Sequence, residues 1–173
     1  MKIISGKYKN RKLKSLAGDK VRPTSAIVKK SLFQILEPFD SKSILDIFAG
    51  TGSLGIESIS RGALKVTFVE KDKKVANVLL KNLKEICEDE DYNVVTSDTY
   101  KYLEVCDEKY DVIFADPPYE TVDFIELKRK IVKLLNYRGI FCMERRFKKE
   151  TYKDVRIKNY GKTQILIWQK TTR

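Results

Sequence analysis

Residues 44–55 read Ile-Leu-Asp-Ile-Phe-Ala-Gly-Thr-Gly-Ser-Leu-Gly. A short apolar run carries one carboxylate, Asp46, and enters a turn with glycines at 50, 52 and 55. Glycine accepts the positive φ of a sharp turn and lets a ligand approach bare backbone. The spacing satisfies GxGxxG, which alone is a common loop pattern. Its surroundings are more specific: a strand at 44–48 precedes it, a helix from 53 to 60 follows and ends at Gly62, and the next strand, 66–69, closes on Glu70. A strand, a glycine turn and a helix in this order mark the ligand-binding end of a parallel α/β sheet.

The pattern continues outward on both sides. Val75, Val78, Leu79, Leu83 and Ile86 recur at helical spacing and predict a helix over 72–87. Glu88-Asp89-Glu90-Asp91 is a solvated turn. Val94-Val95 predict a third strand ending at Asp98, residues 100–105 a short helix, and 112–115 a fourth strand ending at Asp116. Phe124, Leu127, Ile131, Leu134 and Leu135 predict a helix over 123–136, and 139–144 a fifth strand. Segments 155–160 and 163–168 flank Gly161-Lys162 as a hairpin. Upstream, Pro23-Thr24-Ser25 start a helix that Pro38 stops. Residues 1–22 are basic, with little periodicity, and are expected as an extended arm or a small hairpin. Strands alternate with helices through residue 144, and two strands then follow in succession. The expectation is an α/β fold in one domain over 1–173, with a basic N-terminal arm at 1–22 and a core at 23–173. Its mostly parallel sheet carries an antiparallel hairpin at one edge.

Charge is distributed unevenly over the 173 residues, whose net charge is +11. Residues 1–30 hold ten Lys or Arg against Asp19 alone, and 145–173 hold ten against Glu150 and Asp154. Two basic ends around an acidic middle fit a polyanionic partner such as nucleic acid, although Lys runs are often only solvated. No apolar run approaches the roughly 18–20 residues that span a bilayer, and the N-terminus lacks the apolar stretch of a signal peptide. Cys87, Cys106 and Cys142 show no CxxC spacing, so a reducing, cytoplasmic location is expected. The chain has no histidine. That excludes Ser-His-Asp chemistry, HExxH metalloproteases and imidazole acid–base catalysis.

The glycine turn can hold NAD or S-adenosylmethionine. Glu70, at the next strand end, can accept both hydroxyl hydrogens of an adenosine ribose. A pyrophosphate favours a neutral or positive turn, whereas Asp46 favours the ammonium of a methionine moiety. Asp98 can take the adenine amino hydrogen or simply cap the helix at Tyr100. Lys71 and Asp72 lie beside the adenosine by position.

Asp116-Pro117-Pro118-Tyr119 is the more specific motif. Exocyclic base amines are poor nucleophiles because the nitrogen lone pair is delocalised into the ring. The Asp116 carboxylate and the Pro117 carbonyl can hold both N–H bonds and turn that lone pair toward a sulfonium methyl. Positioning and fixed dipoles then supply most of the catalysis. The prolines stiffen the loop, and Tyr119 offers a stacking face worth roughly 1–3 kcal/mol per base. In-line displacement with neutral sulfur leaving requires no metal and no covalent intermediate. A rigid turn after a buried strand is the plainer reading of the same residues.

With both motifs in place, the sequence resembles the class I methyltransferases and, more closely, the RsmD family of 16S rRNA guanine-N2 methyltransferases. The likeness runs through Ile4-Ser5-Gly6-Lys7, Arg11-Lys12-Leu13, Arg22-Pro23-Thr24, Ser31-Leu32-Phe33, residues 46–55, Ser60-Arg61-Gly62-Ala63, Val69-Glu70, residues 116–119 and Tyr160-Gly161-Lys162-Thr163. It implies a seven-stranded Rossmann-like sheet with helices on both faces. It implies S-adenosylmethionine as donor and a 16S rRNA guanine as acceptor, within a 30S subunit or assembly intermediate. A monomer is expected. Carried onto this chain, Asp46, Phe48, Gly50, Thr51, Gly52, Glu70, Lys71, Asp98 and Asp116 hold the cofactor, and Asp116, Pro117 and Tyr119 hold the base. Arg22 and Thr24 touch RNA or shape the pocket, and a surface salt bridge is the alternative for Arg22. Lys7, Lys9, Arg11, Lys12, Lys14, Arg145, Arg146, Lys148 and Lys149 meet phosphates. The rival readings are an adenine-N6 methyltransferase, a nicotinamide oxidoreductase and a non-catalytic RNA-binding assembly factor.

Overall fold

The computed structural model describes residues 1–16, 26–118 and 122–172. Five strands lie parallel: β1 (Ser43–Ile47), β2 (Lys65–Glu70), β3 (Tyr92–Thr96), β4 (Tyr110–Ala115) and β5 (Leu135–Arg146). Then β6 (Val155–Tyr160) and β7 (Thr163–Gln169) form the expected hairpin, with β7 antiparallel to β5. The sheet order is β3-β2-β1-β4-β5-β7-β6. The interiors of β1, β2 and β4 are buried almost without interruption because both faces are covered. Helices α1 (Ala26–Leu36), α2 (Ser53–Ser60) and α3 (Lys73–Ile86) pack on one face; α4 (Thr99–Val105) and α5 (Phe124–Ile131) pack on the other. The chain leaves β1 toward β2 on one side, and β4 lies on the other. β1 is therefore the switch point, beyond whose carboxyl end a ligand is held.

Two expected elements come out differently. The helix expected over 123–136 ends at Ile131, a 3₁₀ turn takes Val132–Leu134, and β5 begins at Leu135 rather than 139. Leu134 and Leu135 are buried as their apolar character requires, but Leu135 achieves it by pairing with Tyr110. The register then jumps to Val112↔Ile140 through a bulge that contains Arg138 at φ 63°. Apolar spacing alone cannot separate these outcomes.

The basic arm is a hairpin over its described residues. Ile3 N–H donates to Arg11 O at 3.0 Å, and Asn10 N–H to Ile3 O at 2.9 Å. Ile3 and Leu13 are buried in the main core. Glu57 of α2 ties the arm down. Its carboxylate accepts from Ile4 N–H (2.8 Å), Ser5 N–H (3.0 Å), Lys29 Nζ (3.1 Å) and Arg61 Nε (2.9 Å). Those four donors fill the acceptor capacity of a carboxylate, and Lys29 and Glu57 are both essentially inaccessible to solvent. The helix start expected at 23–25 lies outside the described residues. Among the described residues no helix is long and apolar enough to cross a membrane.

Candidate active site

The glycine turn is built largely by backbone. Phe48, the residue after β1, takes φ 63°, a conformation that L side chains resist, followed by Gly50 at 56° and Gly52 at 92°. Strain of this kind gathers at ligand sites. Gly55 serves packing instead: a Cβ there would come within 2.1 Å of the Phe68 ring on β2. Three side chains brace the turn. Glu70, at the tip of β2, accepts from Gly50 N–H (2.9 Å) and from Asp72 N–H (2.8 Å). Asp46, buried in β1, accepts from Gly55 N–H at 2.9 Å. Asn82 of α3 donates to Thr51 O (3.0 Å) and exchanges bonds with the Lys14 backbone, joining the arm to the turn.

Electrostatically the turn calls for a cation. Burial pushes the Asp46 carboxyl up to about 7, the Glu70 charge adds to the rise, and the Gly55 N–H opposes it. A cationic group brought beside Asp46 would favour its ionised form. A pyrophosphate would meet Asp46 and Glu70 with like charge. The donor set therefore fits a nucleoside that carries an ammonium and a sulfonium better than it fits a dinucleotide. Each Glu70 oxygen retains acceptor capacity beyond its one backbone bond.

Asp98 caps α4, accepting from Tyr100 N–H at 2.9 Å and Lys101 N–H at 3.2 Å through one oxygen. Capping, one of the two roles open for it, is thus what the described geometry shows. Lys71 is exposed beside Glu70.

Across the switch point lies the acceptor motif. β1 and β4 are direct neighbours with Ile47 opposite Ala115, so Asp116 follows one strand away from Phe48. Asp116, Pro117 and Pro118 line an open cleft with Val122, Met143, Glu144, Arg145, Arg146 and Lys148. Tyr119, Arg22 and Thr24 lie outside the described residues.

The expected phosphate contacts fall into two places. α2 runs back from the glycine turn, so its last residue, Ser60, is at the rim where the strands begin. The arm hairpin is fastened there, with Lys7 N–H on Ser60 O at 2.7 Å. Lys7 pairs with Glu90 at 2.7 Å, Arg11 donates to Glu85 O at 2.7 Å, and Lys14 pairs with Glu85. Lys9 and Lys12 are exposed. The hairpin tip thus faces away from the cleft. Arg145 and Arg146, by contrast, line the cleft; the sequence places them after a fifth strand that ends at 144, and the structure makes them the last two residues of β5. Arg145 acts partly as an internal brace: it donates to Gln164 Oε1 (3.0 Å), Glu150 Oε2 (2.8 Å) and Tyr152 Oη (2.8 Å). Its Nη2 is buried without a hydrogen-bond partner among the described residues.

Sequence reasoning passed over Glu57, Asn82 and Glu144. Each left a trace: Glu57 is the lone charge in an otherwise uncharged helix, Asn82 interrupts the apolar stripe of α3, and Glu144 follows the apolar run 140–143 of β5 as Asp116 follows that of β4.

The sheet order with reversed β7, the glycine turn beyond β1 and the Asp-Pro-Pro tip of β4 define the class: this is the fold of the class I methyltransferases. Within that class, the family described as "Conserved hypothetical protein 95" matches residues 1–169. The chain belongs to it, and it is the RsmD family that the sequence resembles. Ribosomal RNA small subunit methyltransferase D of Haemophilus influenzae is 44% identical over 123 residues, covering 69% of this chain and 64% of the relative. The match therefore spans just under two thirds of that relative's length. The protein of the same name from Escherichia coli is 34% identical over 133 residues, 73% of this chain and 67% of the relative. The solved structure of yhhF from Escherichia coli superposes with a TM-score of 0.89 at 27% identity, covering 100% of this chain and 99% of that one.

Proposed function

We propose that this chain transfers the methyl group of S-adenosylmethionine to the exocyclic N2 amine of a guanine in 16S rRNA. One observation carries the reading: the cation-seeking turn beyond β1 and the Asp116-Pro117 acceptors beyond β4 stand on adjacent strands, a separation of about 4.8 Å. Relatives named for small-subunit rRNA methylation support the choice of substrate.

In this reading Asp46 and the turn hold the methionine end, with Phe48, Gly50, Thr51 and Gly52 shaping the approach. Glu70 holds the ribose, and Asp98 and Lys71 border the adenine. When bound, the cofactor supplies a methyl on positively charged sulfur, which needs no metal to be electrophilic. Asp116 and the Pro117 carbonyl hold the two amine hydrogens and orient the nitrogen lone pair toward that methyl, and Tyr119 stacks the base. Asp116 is also the group placed to receive the proton that the amine releases. Arg145, Arg146 and the Arg22-to-Thr24 segment meet RNA around the cleft and Lys14 meets it beside the glycine turn, with the arm residues Lys7, Lys9, Arg11 and Lys12 as a second, remote contact. The chain acts as a monomer and a single domain in the cytoplasm, on a 30S subunit or an assembly intermediate.

The test is radiolabelled methyl transfer to 30S subunits and to plasmid DNA, with Asp116→Ala beside the wild type. Label in 16S rRNA that disappears in the variant, while S-adenosylmethionine still binds, supports the reading. Label in plasmid DNA alone would move the assignment to adenine-N6 chemistry.

A further inference from the structure

Glu144 lines the acceptor cleft with Asp116 and Pro117 and has no part in the chemistry above. Ala115 pairs with Met143 in the parallel register of β4 and β5, so Asp116 and Glu144 are the next residues along two adjacent strands. Phe114 and Cys142, two residues earlier, both face the core beneath α1. Alternation returns Glu144 to that side, and its charge reaches the Cys142 thiol. Glu144 is only 9% exposed. A buried carboxylate thus belongs to the strand next to that of Asp116, the two backbones about 4.8 Å apart. Such a group has about four lone-pair positions. It can bond within the protein and still receive an N–H from a ligand.

The two candidate bases differ at the atom beside the reacting amine. Guanine has an N1–H donor next to N2; adenine has a bare N1 lone pair next to N6. An enzyme that pins a flipped base reads this edge by hydrogen bonds. We propose that Glu144 is the residue that selects guanine. Its carboxylate accepts N1–H while Asp116 and Pro117 hold the N2 amine, and it opposes the N1 lone pair of adenine. The proposal rests on the guanine-N2 reading and supplies that reading with its specificity.

The test uses 30S particles reconstituted with 16S rRNA that carries either guanine or 2-aminopurine at the methylated position. 2-Aminopurine keeps the N2 amine but has no N1–H and no O6. Wild-type protein should favour guanine by about 100-fold in kcat/KM. In Glu144→Gln the side-chain amide can donate to a bare N1, so the preference should fall to within about ten-fold. The missing O6 weighs equally on both enzymes, so the change in preference isolates Glu144. Titration calorimetry with S-adenosylmethionine should give wild-type affinity in the variant, showing an intact fold. A guanine preference that Glu144→Gln leaves unchanged, with both rates lowered together, overturns the proposal alone. A wild-type protein that places no methyl on guanine N2 overturns the functional reading and the proposal with it.

Discussion

Cofactor affinity should depend on pH through Asp46. Its carboxyl sits at about 7 instead of 3.8, chiefly because burial disfavours the anion. A group whose pKa is raised by folding stabilises the fold fully below its unfolded value. That contribution is lost as pH climbs from about 4 to about 7. At roughly 1.4 kcal/mol per pH unit the difference is about 4 kcal/mol. Holding an ammonium requires the ionised form, so apparent affinity follows the ionised fraction, about 3% at pH 5.5 and 50% at pH 7. Affinity for S-adenosylmethionine should therefore rise about fifteen-fold across that interval. Above about pH 8 it should fall again, as the ligand's own α-amino group loses its proton. Titration calorimetry at constant ionic strength reads both limbs. Asp46→Asn keeps an oxygen for Gly55 N–H but cannot ionise, so its acid limb should be flat. A flat wild-type profile between about pH 5.5 and 7, or the same rise in the variant, refutes the role given to Asp46.

Breaking the buried cluster at Glu57 should show in stability. Glu57→Gln leaves Lys29 without its counter-charge and places an amide against N–H donors, and should lower unfolding free energy by about 3–5 kcal/mol; a urea-denaturation loss under about 1 kcal/mol would contradict the four-bond arrangement. RNA affinity should fall linearly on a log–log plot against salt. Replacing Arg146 and Lys148 together by Ala should reduce the slope by about 1.5–2, and an unchanged slope would remove them from the phosphate-contacting surface.

Much of this molecule is legible in its sequence because parallel α/β sheets write their rules locally. The apolar runs at β1, β2 and β4, the glycine turn and the helical spacing of α3 each follow from burial on two faces or one. The carboxyl-end residues Glu70, Asp98 and Asp116 could then be gathered on one rim before any contact was known. Legibility failed where long-range pairing decided the outcome. Leu135 joined β5 because Tyr110 was there to pair with. The hairpin form of the arm, and the place of its tip at the far rim, depend on Glu57 and Ser60, more than fifty residues away. A count of positive charge could not reveal that Lys7, Arg11 and Lys14 bond back to the end of α3 and the loop after it. Glu144 carried a visible signal, a carboxylate closing the apolar run 140–143, but its meaning depended on the register that sets β5 beside β4.

The most direct measurement is nucleoside mass spectrometry of 16S rRNA from cells lacking this protein, complemented with the wild type or with Asp116→Ala. One N2-methylguanosine should vanish on deletion, return with the wild type and stay absent with the variant. An unchanged nucleoside profile in the deleted strain, or full restoration by Asp116→Ala, would contradict the placing of methyl transfer at the tip of β4.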